Sequence, residues 1–200
     1  NTAFGIGGGD VNGDGFDDLL VSAQGASFEV FGGNFTRSVD FLGTSGNDIL
    51  TGNSSANILI GGLGNDTLNG GAGDDRLAGG LGNDTYQVNG GDGQDTISEN
   101  DSTLSNSDTL LYGATINPLD LVLSRQVNDL RIAIYGGTDQ VTIQNWYSAP
   151  TTAQVETIQA GNGQTLLNTQ VDQLVQAMAG FTHDTGLSWD AAIAGSGNVQ

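Results

Sequence analysis

Residues 61–87 read GGLGNDTLN, GGAGDDRLA and GGLGNDTYQ, three consecutive nine-residue segments that share one pattern. Each segment has glycine at its first, second and fourth positions, Asp at the sixth and an apolar or aromatic residue at the eighth. The pattern continues outward as GTSGNDILT from Gly43, GNSSANILI from Gly52 and, after a two-residue slip, GGDGQDTIS from Gly90. GTSGNDILT lacks the second glycine, and GNSSANILI lacks that glycine, the fourth-position glycine and the Asp. A fixed period of this length predicts a repeat architecture.

One apolar side chain in each repeat can face only one interior, so each unit is predicted to form a glycine turn and a short strand. Two units then make one coil of a flattened helix, and each repeat stacks on the repeat after next. The sixth-position residues are therefore expected in two columns. One column contains Asp48, Asp66 and Asp84, and the other contains Asn57, Asp75 and Asp95.

Stacked carboxylates point to a bound cation. Neighbours in a column would lie roughly 4.8 Å apart, and like charges at that distance repel unless a cation lies between them. Glycines allow positive φ and bring carbonyl oxygens close together. Calcium accepts about six to eight oxygens in loose geometry, whereas Mg²⁺ requires a stricter octahedron. The alternative is a low-complexity Gly/Asn/Asp linker without a ligand, and the fixed Asp and apolar positions argue against it.

The candidate ligands are the sixth-position side chains and the oxygens at the turn glycines. They are Asp48, Asn57, Gly61, Gly64, Asp66, Gly70, Gly73, Asp75, Gly79, Gly82, Asp84, Gly90, Gly93 and Asp95.

Composition restricts the partners. The 23 acidic residues stand against four Arg and no Lys, a net charge of -19 that would repel nucleic acid and anionic membranes. Cysteine is absent, so disulfides and thiolate metal sites are excluded. No apolar run approaches the ~20 residues of a membrane span. Because Asn1 is not an initiator Met, we expect a fragment, and the lack of a signal peptide says little.

The segments resemble the RTX or haemolysin-type calcium-binding repeat, GGxGxDxUx. The resemblance extends to residues 86–158, where GGDGQDTISE, DLVLSR, NDLRIAI, QVTIQNWY and VETI resemble the haemolysin-type segment that follows such repeats and closes the roll. It implies several bound Ca²⁺ ions, about four to seven. It also implies a secreted bacterial protein exported by type I machinery, with an uncleaved signal within residues 170–200.

Residues 10–18 contain a second candidate calcium loop, DVNGDGFDD. Its ligands would be Asp10, Asn12, Asp14, Asp18 and the carbonyl of Phe16. An EF-hand is excluded, because its twelfth position is Val21 rather than Glu and strands flank the loop.

With Phe4-Gly5, Leu19-Leu20-Val21 and Val30-Phe31-Gly32-Gly33, this loop resembles an FG-GAP repeat of integrin-like β-propellers. The hairpin is either the last blade of a propeller that lies upstream or a lone hairpin that caps the roll.

The remaining chain indicates further strands and one helix. Residues 1–37 run from a Gly-rich loop into two short strands, and period-two patterns at Leu130–Ile134 and Val141–Ile143 predict strands with turns at Gly136-Gly137 and Gly161–Gly163. Val171, Leu174, Val175 and Met178 share one helix face, with a start at Asn168 or Thr169 and an end at Gly180.

The fold expected is mostly β: a parallel β-roll with an N-terminal β-hairpin, a C-terminal β segment that closes the roll and a short C-terminal helix. The segments are 1–37 (calcium-loop hairpin), 38–100 (roll), 101–165 (closing β region) and 166–200 (helix and secretion signal).

The sequence favours a module that folds on meeting extracellular Ca²⁺ and supports type I secretion and stability of a larger bacterial protein. No catalytic residue is assigned, since HExxH, GxSxG and Walker motifs are absent and His183 is the only histidine. The alternative is an adhesin or surface-layer fragment that binds glycans or cell-surface proteins, with Trp146, Tyr147 and Trp189 as candidate contacts.

Overall fold

The computed structural model describes the backbone of residues 5–9, 18–23, 26–30, 39–101 and 106–185, and the side chains of residues 39–101 and 106–180. The described strands are β1 Gly5–Gly9, β2 Asp18–Ala23, β3 Ala26–Val30, β4 Phe41–Leu42, β5 Ile49–Thr51, β6 Ile58–Leu63, β7 Thr67–Asn69, β8 Arg76–Leu81, β9 Thr85–Val88, β10 Gln94–Ile97, β11 Thr109–Tyr112, β12 Leu121–Gln126, β13 Asp129–Ile134, β14 Gln140–Ile143, β15 Thr157–Gln159 and β16 Thr165–Leu167. A short 3-10 helix spans Pro118–Asp120, and α1 spans Asn168–Thr185.

The strands of the nonapeptide repeats lie in two parallel sheets, and the chain crosses from one sheet to the other at every glycine turn. One sheet has the order β12-β13-β14-β10-β8-β6-β4, and the other has the order β16-β15-β11-β9-β7-β5. Leu59 lies opposite Leu77 in the first sheet, and Leu50 lies opposite Leu68 in the second. These partners are 18 residues apart, so two repeats make one coil. The predicted parallel β-roll is confirmed.

The eighth-position side chains form the interior of the roll. They carry no polar group to satisfy, apart from one tyrosine, and each contributes about 1.5–3 kcal/mol by burial. Those that are no more than 1% exposed are Leu59, Leu68, Leu77, Tyr86 and Ile97. A ladder of single residues therefore runs through the interior of the repeat region.

The roll continues beyond the repeats. Strand β14 adds to β10 with Ile97 opposite Ile143, and β15 adds to β11 with Leu110 opposite Ile158. Antiparallel strands then end each sheet, β13 and β12 on one and β16 on the other. The expected closing β segment is confirmed, with the predicted turns at Gly136 and Gly163 in positive φ.

Two local expectations were wrong. The expected Gly-rich loop before β2 contains a strand, because Gly5–Gly9 pairs antiparallel with Asp18–Ser22, and glycine retains the backbone N–H and C=O that this pairing uses. The helix begins at Asn168, within the expected residues, but it continues through Gly180 to Thr185. An interior glycine costs only about 1 kcal/mol in a helix, and Gly180 does not adopt the positive φ of a helix end.

Candidate metal sites in the glycine turns

The sixth-position side chains lie in two columns, as the repeat period predicts. In the Asp48 column, the Asp66 Oδ1 accepts the backbone N–H of Asp48 at 2.8 Å, and the Asp84 Oδ1 accepts that of Asp66 at 2.7 Å. In the Asn57 column, the Asp75 Oδ1 accepts the N–H of Asn57 at 2.7 Å, and the Asp95 Oδ1 accepts that of Asp75 at 3.0 Å. One oxygen of each of these carboxylates is thus held by the preceding coil.

The Asp48 column contains two further acids that the period of nine does not predict. The Asp108 Oδ1 accepts the N–H of Asp84 at 2.8 Å, and the Glu156 Oε2 accepts the N–H of Asp108 at 2.8 Å. Both follow insertions that break the period of nine. A signal was available, because Asp108-Thr109-Leu110 and Glu156-Thr157-Ile158 repeat the acid–Thr–apolar sequence of Asp66-Thr67-Leu68.

The second oxygen of three carboxylates is buried without a hydrogen bond. Asp66, Asp75 and Asp84 are each 1% exposed, and their Oδ2 atoms have no partner. Burying such an oxygen unpaired costs on the order of 1–3 kcal/mol, and more when the group is charged. These three atoms require a positively charged ligand or a proton in the folded state.

The glycines of the turns leave room for this chemistry. A Cβ built on Gly61, Gly70 or Gly79 would overlap the Oδ2 of Asp66, Asp75 or Asp84 in the same turn. Other turn glycines lie against carbonyl oxygens of the preceding coil, with Thr44 O 2.5 Å from a Cβ built on Gly62. The turns therefore bring carboxylate and carbonyl oxygens together with no side chain between them.

This donor set fits calcium. Among residues 39–101 and 106–180, no three or more His, Cys, Asp or Glu side chains converge to hold a metal. Any ion in these turns would therefore complete its coordination with carbonyl oxygens and water, both of which Ca²⁺ accepts readily. Bound calcium would supply positive charge to the unpaired carboxylate oxygens, which the Asp side chains and glycine turns of the chain hold in place.

Burial also changes the acidity of the columns. Desolvation raises the pKa of Asp66 to about 6 and the pKa of Asp84, Asp95 and Asp108 to about 7, against hydrogen bonds that lower it; neighbouring acids raise it further. The ordinary value is 3.8. The folded state without metal consequently binds protons more tightly than the unfolded chain does.

The sign of the pH dependence follows from these raised pKa values. As pH falls from about 7 toward 4, protons neutralise the columns in the folded state first, so the calcium-free roll is expected to gain stability. We expect more β signal in circular dichroism of the calcium-stripped chain at pH 5.5 than at pH 8. The Ca²⁺ concentration at which the chain is half-saturated should rise on acidification, because protons compete with Ca²⁺ for the same oxygens. Equal or weaker β signal at pH 5.5 would contradict this expectation.

A buried tyrosine links the third glycine-rich turn to a buried acid. The Tyr86 hydroxyl accepts the N–H of Gly79 at 2.7 Å and donates to the Glu99 Oε2 at 2.5 Å. Burial first, and then Asp108, raises the pKa of Glu99 well above its ordinary value. The repeat pattern predicts only an apolar role for Tyr86, although Tyr86 is the only eighth-position residue of the six repeats with a hydroxyl group.

Replacing Tyr86 with Phe is expected to lower the free energy of unfolding of the calcium-loaded chain by about 1–3 kcal/mol, because it removes the partner of the Gly79 N–H and of the Glu99 Oε2. Tyr112→Phe is the matched control: Tyr112 is 1% exposed, and its hydroxyl has no partner among the described residues. That control should change stability by less than about 0.5 kcal/mol or increase it. Urea unfolding of both variants in excess Ca²⁺ gives the comparison; equal losses would contradict the role of the hydroxyl.

Several predicted residues cannot be placed. Asp10, Asn12, Asp14, Phe16 and Trp189 lie outside the described residues, and only the backbone is described for Asp18, in β2, and His183, in α1.

Trp146 is 1% exposed and belongs to the core, so it is not available as a surface contact. The half-buried Tyr147 ring lies under Arg125, whose guanidinium carbon is 4.2 Å from the ring centroid.

Comparison with protein families identifies three segments. Residues 41–68 and 51–86 match the RTX calcium-binding nonapeptide repeat (4 copies). Residues 129–169 match the haemolysin-type calcium binding protein related domain, and residues 3–39 match the FG-GAP repeat. The chain therefore contains RTX calcium-binding repeats, a haemolysin-type related segment and an N-terminal FG-GAP repeat. RTX repeats bind Ca²⁺ and are typical of extracellular bacterial proteins.

Solved structures give weaker likenesses. The solution structure of the AlgE6R3 subunit from the Azotobacter vinelandii mannuronan C5-epimerase is 21% identical, with a TM-score of 0.31, covering 56% of this chain and 80% of that one. The extracellular lipase LipA from Serratia marcescens is 25% identical, with a TM-score of 0.29, covering 64% of this chain and 22% of the lipase. No curated protein matches significantly. No helix in the described part of the chain has the length and apolar character to span a membrane.

Proposed function

We propose that the chain is a calcium-dependent folding module of a larger secreted bacterial protein. The observation that carries this proposal is the set of three buried, unpartnered carboxylate oxygens on Asp66, Asp75 and Asp84. In this proposal, calcium bound in the glycine turns neutralises these oxygens, and its binding free energy becomes folding free energy. The candidate ligands in the turns are those given by the repeat pattern.

In this proposal, the calcium concentration of each compartment decides whether the module is folded. Extracellular calcium modules bind at about 10⁻⁴ to 10⁻³ M, so the roll would stay unfolded in a low-calcium cytosol and fold after export. The net charge of -19 and the backbone entropy of a Gly-rich chain both oppose folding without the ion. An unfolded chain is the form that a narrow secretion channel can pass.

The proposal divides the work along the chain. Residues 38–100 bind calcium, residues 101–165 close the roll and residues 166–200 carry the export signal. Residues 10–18 hold one further Ca²⁺ within the FG-GAP repeat matched at 3–39. The chain has no catalytic role of its own in this proposal. The core position of Trp146 removes one of the three aromatics that supported glycan binding.

Export is tested by joining the chain to the C-terminus of a reporter and expressing the fusion with a type I exporter. We expect the reporter in the medium, and we expect deletion of residues 170–200 to retain it in the cell. The variant with Asp66, Asp75 and Asp84 all changed to Asn should still be exported, but should be degraded by added protease in millimolar Ca²⁺ conditions that protect the unchanged fusion. Export without residues 170–200 would overturn the secretion role.

A further inference from the structure

The first five repeat turns, from 43–48 to 79–84, are of two kinds, which differ at their second residue. In the turn 43–48, the Asp48 Oδ2 accepts the backbone N–H of Thr44 at 2.6 Å and its hydroxyl at 2.8 Å. In the turn 52–57, the Asn57 Oδ1 accepts the N–H of Asn53 at 2.8 Å. In these two capped turns, the sixth-position side chain is satisfied within its own turn.

The turns 61–66, 70–75 and 79–84 have glycine at the second position, and we refer to them as open turns. Gly62, Gly71 and Gly80 have φ of 114°, 85° and 107°, values that only glycine adopts readily. This conformation rotates the N–H away from the sixth-position carboxylate; that of Gly71 donates to the Asn69 Oδ1 instead, at 2.9 Å. The Oδ2 atoms of the three open turns are those without a partner.

Building on the proposed calcium function, we propose that the second residue of each of these five turns decides whether its sixth-position side chain binds the ion. Glycine there leaves the carboxylate oxygen open, so Asp66, Asp75 and Asp84 are side-chain ligands. A residue with negative φ caps it, so Asp48 and Asn57 are not ligands. This assignment narrows the set expected from the sequence, which included both of them.

The capped turns still have a role, because they present carbonyl oxygens to the next coil. Thr44 O and Asn53 O lie beside Gly62 and Gly71, at 2.5 and 2.6 Å from a Cβ built on those glycines. The capped turns can therefore complete the first open sites through their backbone while needing no charge of their own. Asn57 supports this view, since an amide already fills the sixth position of one capped turn.

The test compares Asp48→Asn with Asp66→Asn, two substitutions of the same kind in the same column. Bound calcium is counted by equilibrium dialysis with ⁴⁵Ca²⁺, and folding is followed by circular dichroism. Asn at position 66 retains an oxygen that can accept the N–H of Asp48, so the loss is confined to the open Oδ2. We expect Asp66→Asn to lose one ion or to raise the calcium midpoint at least tenfold. Asp48→Asn should bind the same number of ions as the unchanged chain, with a midpoint within about threefold.

A third variant keeps the test decisive if Asp66→Asn fails to fold. Asn57→Asp places a carboxylate in a capped turn, and we expect no additional ion. Loss of an ion in Asp48→Asn, or gain of one in Asn57→Asp, would overturn the inference while leaving calcium-dependent folding intact. An unchanged chain that takes up no calcium would overturn the proposed function and the inference together.

Discussion

The calcium-stripped chain at pH 8 is expected to lack the β-roll and to acquire it cooperatively as Ca²⁺ is added. Far-UV circular dichroism should show a gain of β signal centred at about 10⁻⁴ to 10⁻³ M Ca²⁺. The reason is electrostatic: three carboxylate oxygens are buried without a partner, and desolvation holds the pKa of Asp84 at about 7, so at pH 8 the fold without ion must bury charge.

Magnesium is the control for this titration. Mg²⁺ requires a tighter octahedron and gives up its waters reluctantly, so the same concentrations should produce little β signal. Complete β signal in chelator would mean that the Asp columns do not control folding, and the adhesin hypothesis would then become the better explanation. Equal responses to the two ions would indicate general charge screening rather than defined sites.

Gly80→Ala is expected to lower the free energy of unfolding of the calcium-loaded chain by about 3–5 kcal/mol, as measured by urea unfolding in excess Ca²⁺. Gly80 has φ of 107°, and an added Cβ would overlap the carbonyl oxygen of Gly62 in the preceding coil. That oxygen belongs to a strand of a parallel ladder and cannot move without breaking the register between β6 and β8. The backbone strain of alanine at this φ and the steric overlap of its Cβ therefore both lower the stability.

Gly91→Ala separates the two contributions. Gly91 has the same repeat position and a φ of 93°, yet a Cβ there would meet nothing within 4 Å. Its N–H donates to the Asp139 Oδ2 at 2.7 Å, and alanine keeps that donor. The cost should be the conformational one alone, about 1–2 kcal/mol. Similar losses at positions 80 and 91 would show that stacking of coils against the turn does not limit this site.

The spacing of the repeats predicts which side chains stack in a column, but it does not predict which carboxylate oxygens remain free. A period of nine with one apolar position placed Asp48, Asp66 and Asp84 in one column, and hydrogen bonds 18 residues apart confirm that stacking. The repulsion expected between neighbouring carboxylates is reduced, because one oxygen of each carboxylate accepts the backbone N–H of the preceding residue in its column. Only the other oxygen needs an ion, and a sequence does not distinguish the two.

A second ladder of hydrogen bonds was likewise not predicted; in it, a fifth-position side-chain oxygen accepts the backbone N–H of the fifth-position residue 18 residues later. Asn65 N–H donates to the Asn47 Oδ1 at 2.8 Å, and Asn83 N–H donates to the Asn65 Oδ1 at 2.9 Å. The fifth position is Asn at 47, 65 and 83 but differs in the intervening repeats, so only the 18-residue spacing carries this pattern. The ladder depends on the offset between coils, which is a property of the folded pair.

By itself, the sequence determined the coil: short repeats encode local φ preferences and one buried side chain each, and both act within nine residues. The tertiary structure decided where the columns end, because a short acid–Thr–apolar match does not show which coil it joins. Asp108 and Glu156 join the Asp48 column across gaps of 24 and 48 residues, whereas Val141 lies opposite Asp95 and ends the other column. It also decided which turns are capped, because the direction of one peptide N–H depends on the φ that each turn adopts in the stack. Period fixes what stacks, but the hydrogen bonds of each coil fix which oxygens remain for calcium.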